Sequence, residues 1–202
     1  MKTTRHLTFA AAAILSSIGL SVASHAQTTT TTGAPGATTG ATTATTPAGA
    51  TAGKPLAAPE KSFLKNSGES LYFLLQLADA AKTKAGSVAV KTLGETLNDD
   101  LNKVWADLGE IANATNEKMP TALSGGDKSG VERLNKQETE KFDRQFLTMV
   151  EKESKKLSSS FARGTKLTHP ELKAVAEKWA TTLKGHETEI EKAAKEASKS
   201  PK

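Results

Sequence analysis

The sequence contains no cysteine, which excludes disulfide staples, thiolate nucleophiles or metal ligands, and a lipid-bearing cysteine at a cleavage point. Aromatic residues make up only 4% of the chain, too few for the stacking platforms of single-strand nucleic-acid binders. There is no nucleophile elbow, no glycine-rich phosphate loop and no His-Glu-x-x-His helix, so the familiar signatures of hydrolase, nucleotide and zinc-protease chemistry are missing. One-sided charge is missing too. Lysines alternate with glutamates in "VERLNKQETEK" and "EIEKAAKEA", the pattern of a solvated helix face. The formal charge of +5 drops to +3 once Lys2 and Arg5 are set aside with the leader described next. No nucleic-acid partner is expected.

The one long apolar run lies at the start. In "MKTTRHLTFAAAAILSSIGLSVASHAQ", Lys2 and Arg5 precede an apolar stretch from Leu7 to about Ala23, and small residues Ser24 and Ala26 flank His25. This is the pattern of a secretory signal peptide over residues 1–26. The expected mature chain begins near Gln27 and is soluble, with no transmembrane segment, because no later run approaches the roughly 20 apolar residues that a spanning helix needs. Residues 27–59 are Thr, Ala, Gly and Pro with almost no large apolar side chain. They read as a disordered, low-complexity linker, since such a composition buries too little surface to offset the entropy of ordering it. Residues 60–202 have the length of one domain.

That domain reads as helical throughout. Leu64, Leu71, Leu74, Leu75, Ala78 and Ala81 form the apolar line of a first helix, about Ser62–Lys84, with Ser62 as N-cap. Ser87 caps a second helix running to about Thr115, whose stripe is Val90, Leu93, Leu97, Leu101, Val104, Leu108 and Ile111. "NEKMPTALSGGDKSG" reads as a loop, followed by a short helix near Val131–Lys136. A third long helix, about Thr139–Arg163, turns Phe142, Phe146, Met149, Val150, Leu157 and Phe161 inward, and Gly164 terminates it. In "THPEL" Thr168 and Glu171 have capping-box spacing for a last helix with the line Leu172, Val175, Trp179, Leu183, His186, Ile190 and Ala193. The expected fold is all-α: an antiparallel four-helix bundle with a short extra helix between helices two and three.

The polar residues best placed for chemistry are few. Asp99 and Asp100 flank Leu101, and it is Leu101 that lies on the stripe, so both carboxylates are expected at the rim or in solvent. His186 is the one polar side chain on an inward stripe. His169 is expected at a helix start near the surface, and His6 and His25 fall in the leader.

Taken in order, Phe63-Leu64, "LNDDL", "LNKQETEKFDRQFLTMVEKES" with its Phe142-Asp143 pair, and "TLKGHETEIEKA" resemble a bacterial family of exported proteins, domain of unknown function 4142, often labelled predicted outer membrane proteins. The resemblance runs from about Phe63 to Ala194 and implies a ferritin-like bundle. It also implies a polar set: a glutamate in helix one, a histidine after the paired aspartates, another after the Phe-Asp segment, and one in helix four. Here those positions fall on Leu74, Leu101, Ser154 and His186, so only the last polar group remains and a family-type metal site is expected to be dismantled.

Two functions follow as expectations. The preferred one is a non-enzymatic exported module of the periplasm or outer membrane, with no cofactor, engaging an envelope protein or cell-wall partner in envelope or stress-related interactions. The alternative is a metal- or small-ligand-binding bundle that uses His186 with the nearby carboxylates Asp100 and Glu187.

Overall fold

The computed structural model describes residues 54–199, so the expected leader and all of the linker up to residue 53 lie outside the described residues. Among the described residues five helices follow one another: α1 Ala58–Lys84, α2 Val88–Ala114, α3 Gly125–Asn135, α4 Thr139–Gly164 and α5 Pro170–Lys199. Among the described residues there are no strands, and no helix is long and apolar enough to cross a membrane.

Each long helix packs on two others: α1 on α2 and α4, and α5 on α2 and α4. Specific contacts fix the directions. The end of α1 meets the start of α4, where Gly86 and Ser87 donate backbone N–H bonds to Asp143, while Phe63 near the start of α1 meets Phe161 near the end of α4. On the opposite side, Asp107 bonds Trp179 and Asp100 contacts His186, so α2 and α5 also run antiparallel. It follows that α2 and α4 occupy opposite corners and point the same way. The segment between them must therefore return along the whole bundle, and it carries α3 as it does so. One long crossover of this kind is the ferritin-like connectivity.

The crossover explains why α1 buries more than one face. Its inward line, Leu64, Leu71, Leu74 and Ala78, is buried, and so are Phe73 and Ala80 on other faces. Helix α3 lies over α1 and α4, its Leu134 is fully buried, and the Lys84 ammonium donates to the Asn135 carbonyl. The stripes of α2, α4 and α5 are buried as expected, with Met149 and Val175 half-buried at their margins.

Helix ends follow the expected chemistry in some places and depart from it in others. The Ser87 Oγ accepts from the Val90 N–H at 3.2 Å, as a serine N-cap should. Helix α2 ends with Asn116 at φ 57°, and Glu117 and Asn116 donate back to Ala112 and Asn113. This is the paired bonding that a left-handed residue permits after a helix. Helix α1 starts at Ala58, not Ser62, because the Glu60 carboxylate accepts the Ala57 N–H at 2.6 Å. Leu56 is buried in the core as well, so the residues just before Glu60 pack with the bundle. Helix α3 begins at Gly125 inside the stretch read as loop. Ser124 caps it through the Asp127 N–H, and the bare Cα of Gly130 lets the helix approach Met149.

Gly164 also has a different role from the one expected. It is the last residue of α4, and the following Thr165 has a right-handed φ of −63°, so no left-handed cap is made. A Cβ on Gly164 would stand 2.7 Å from Phe63 Cε2 and 2.9 Å from Ala176 Cβ. The glycine is there for close packing of α1, α4 and α5. Gly164→Ala should therefore lower stability by about 1–3 kcal/mol, the usual cost of overpacking a filled core. A denaturant midpoint unchanged from wild type would show that Phe63 moves aside freely.

Candidate functional site

The interior level at which the family's polar set would meet is set by pairings across the bundle. Tyr72 lies against Trp105 and Asn98 bonds Asp79, so Leu74 and Leu101 are near one height. Ser67 bonds Ser160 and Asp100 contacts His186, which brings Ser154 and His186 to about the same layer. All four side chains are buried: Leu74 and Leu101 at 1% and 0% exposure, Ser154 and His186 at 5% and 4%.

Among the described residues, one polar contact crosses to His186. Its Nε2 lies 3.2 Å from Asp100 Oδ2. Asp100 sits at the rim, where its other oxygen accepts from Lys103 at 2.9 Å. The Lys103 bond chiefly holds the Asp100 carboxyl below its usual range; desolvation opposes this, and His186 adds a smaller pull in the same direction as Lys103. Asp100 in turn raises Lys103. With Asp100 ionised, the imidazole Nε2–H is the donor. Asp99 is exposed.

Glu187 does not join this pair. Desolvation pushes its carboxyl up most strongly, yet bonds from Lys184 and from Ser158 of α4 outweigh it and leave the group lowered. The Lys184 contact is 2.6 Å. Asp100 on α2 and Glu187 facing α4 thus lie on different sides of His186, as neighbouring positions of a helix require. Among the described residues no group of three or more His, Cys, Asp or Glu is arranged to hold a metal ion. The side chains at this level, two leucines, one hydroxyl and one imidazole-carboxylate pair, do not fit a transition-metal centre, which takes three or four nitrogen, oxygen or sulfur ligands.

Three other carboxylates, Asp143, Asp107 and Glu60, act as clamps. Asp143, of the Phe142-Asp143 pair, accepts the Gly86 N–H at 3.0 Å and the Ser87 N–H at 2.8 Å, closing the α1–α2 turn onto α4. Asp107 accepts from Lys178 at 2.7 Å and from the Trp179 indole at 2.6 Å. Glu60 accepts the Thr168 hydroxyl at 2.6 Å and the His169 N–H at 2.9 Å. Thr168 is consequently used for Glu60 and not for a capping box with Glu171. His169 starts α5, its carbonyl accepting from the Lys173 N–H, but it is 5% exposed and not at the surface. Its ring nitrogens have no hydrogen-bond partner among the described residues.

Two surface depressions were not legible in the sequence. A groove of about 450 Å³ between α2 and α5 has Ile111 and Val175 in its floor and Asp107, Glu110 and Glu171 along its edge. A cleft of about 290 Å³ on the outer face of α1 and α2 is bordered by Tyr72 and Trp105. Trp105 follows stripe residue Val104 and therefore falls off the inward line. That displacement of an aromatic residue was the available signal.

Among solved structures, a fragment described as domain of unknown function 305 from Deinococcus radiodurans is similar to this chain, with a TM-score of 0.63 and 14% sequence identity. The similarity covers 71% of this chain and 99% of that one, and at this identity it speaks to the shared fold alone. No curated protein matches the sequence. The family described as domain of unknown function 4142 matches residues 45–193. That span takes in all four long helices up to Ala193, with the clamps and the Asp100–His186 pair, and the chain belongs to this family.

Proposed function

We propose that the protein is a non-enzymatic, exported module of the cell envelope, acting through its outer faces on an envelope protein or cell-wall partner. The observation that carries this reading is the burial of Leu74 and Leu101 at the interior level where the family's polar set falls. With aliphatic carbon at those positions the bundle interior offers structure in place of chemistry, and its surface is left for interaction. The leader pattern with Lys2, Arg5 and the apolar run after them supports export to the periplasm or outer membrane, and the Thr-rich stretch before the bundle supports a tethering role. Cell fractionation with N-terminal sequencing tests it. The protein is expected in the envelope fraction with a mature terminus near Gln27, and a cytoplasmic protein retaining residues 1–26 would overturn it.

The 3.2 Å contact between His186 and Asp100 favours a second reading, in which the pair takes a metal or small ligand. Untagged wild-type protein is expected to carry no stoichiometric iron, zinc, copper or manganese. Tight one-to-one binding in a calorimetric titration, lost in His186→Ala, would replace the first reading with the second.

A further inference from the structure

The chain has one tyrosine and two tryptophans. Trp179 is in the core, its indole bonded to Asp107. The other tryptophan and the only tyrosine stand together on the outer face of α1 and α2, both half-buried, with ring centroids 5.7 Å apart and planes tilted by 42°. They border the 290 Å³ cleft whose remaining polar lining is Gln76, Asp79, Asn98 and Asn102.

Part of that lining holds itself in place. The Asn98 Nδ2 donates to Asp79 Oδ1 at 2.9 Å, and the Asn98 side-chain Oδ1 accepts from Lys82 and Asn102, both at 3.3 Å. Asn102 also donates to the Asn98 backbone carbonyl at 2.8 Å. What is left over belongs to residues that line the cleft. Among the described residues, the second Asp79 oxygen, the Asn102 side-chain oxygen, both ends of Gln76, the Tyr72 hydroxyl and the Trp105 N–H have no hydrogen-bond partner.

We propose that this cleft binds a neutral sugar ring of a glycan chain. A pyranose has apolar C–H faces and an edge of hydroxyls that each donate and accept. Aromatic faces match the first, and amides with a carboxylate oxygen match the second. The volume of about 290 Å³ falls just short of the roughly 300–1,000 Å³ of most small-ligand sites, which is room for one ring. Charge points the same way: Asp79 and Lys82 pair at 3.3 Å, so the lining is close to neutral. A phosphate backbone would meet the Asp79 carboxylate, and a helical peptide would find only Leu75 as an aliphatic contact.

The proposal does not depend on export, because it is measured on purified full-length protein and so stands or falls apart from the fractionation result. Calorimetry and tryptophan fluorescence with N-acetylchitohexaose, cellohexaose and maltohexaose provide the test. The first presents acetamido sugars of the cell-wall type and the other two plain glucans, so their order of affinity identifies the source. At least one should bind, and both Trp105→Ala and Gln76→Ala should weaken it by at least about tenfold, the loss of one stacked or bidentate contact. Lys178→Ala, on the α2–α5 side, should leave binding unchanged. If Trp105→Ala fails to fold, Gln76→Ala decides, since the Gln76 side chain has no hydrogen-bond partner among the described residues and its truncation is expected to leave helicity and thermal midpoint unaltered. No binding of any of the three at about 10 mM sugar, or binding that both substitutions leave intact, overturns the proposal.

Discussion

Leu101→Ala should destabilise the protein by about 2–5 kcal/mol, while Asp99→Asn, two residues away, should stay within roughly 0.5 kcal/mol. Leu101 is 0% exposed and lies in a column of α2 residues, Leu97, Val104 and Leu108, that are equally enclosed. Removing its isobutyl group takes away apolar contact and leaves a void that helices held at both ends cannot close. Asp99 is exposed, so its charge is already solvated and replacing it by an amide changes little. Urea midpoints of the two variants against wild type decide the matter. A small loss for Leu101→Ala combined with a large one for Asp99→Asn would mean that α2 is rotated about its axis.

The same pair of residues shows why so much of the bundle could be read in advance. Along α2 the apolar residues recur every three or four positions from Val90 to Ile111, and a helix of that length averages out local exceptions. Every one of them is buried. Where local residues conflict, the reading weakens. Gly125, Gly126 and Gly130 suggested a loop, yet Ser124 and Asp127 cap a helix there, and tertiary packing against α4 outweighs the poor propensity of glycine. Gly164 suggested a left-handed cap because that is the commonest use of glycine at a helix end; that Phe63 and Ala176 crowd it depends on two other helices and has no trace in the local sequence. The candidate site divides in the same manner. That His186 is inward and Asp100 is at a rim follows from periodicity. That they touch does not, because the register between α2 and α5 is set by contacts across the whole bundle. The α1–α2 cleft was missed for a related reason: Tyr72, Gln76, Asn98 and Asn102 are ordinary polar residues of two separate stretches until two helices bring them side by side.

Glu60→Gln should lower stability at neutral pH by about 2–4 kcal/mol, the range for losing bonds to a buried charged acceptor and leaving donors unpaired. The side chain is 4% exposed, and its two oxygens together take the Ala57 N–H, the Thr168 hydroxyl and the His169 N–H. One carboxylate thus starts α1 and ties it to the start of α5, a contact between residues 108 apart in sequence. Glutamine keeps one oxygen but puts an NH₂ group against a backbone donor, so at least one N–H or O–H loses its acceptor. The wild-type advantage should also depend on pH. The Thr168 bond, first, holds the Glu60 carboxyl below its ordinary value of 4.5; desolvation opposes it, while the two backbone bonds and a weaker attraction to His169 support it. A group lowered on folding contributes stability that is fully present above its unfolded value and is lost as the pH falls through its folded one. The gap between wild type and Glu60→Gln should therefore be constant from neutral pH down to about pH 5 and narrow below pH 4.5. Asp100, Asp107 and Glu187 are lowered as well, so both proteins will lose stability in acid, and only the difference between their curves reports on Glu60. Denaturant unfolding at a series of pH values measures that difference. A gap that is absent at pH 7, or that widens in acid, would mean that the Glu60 carboxylate does not hold the two helix starts together.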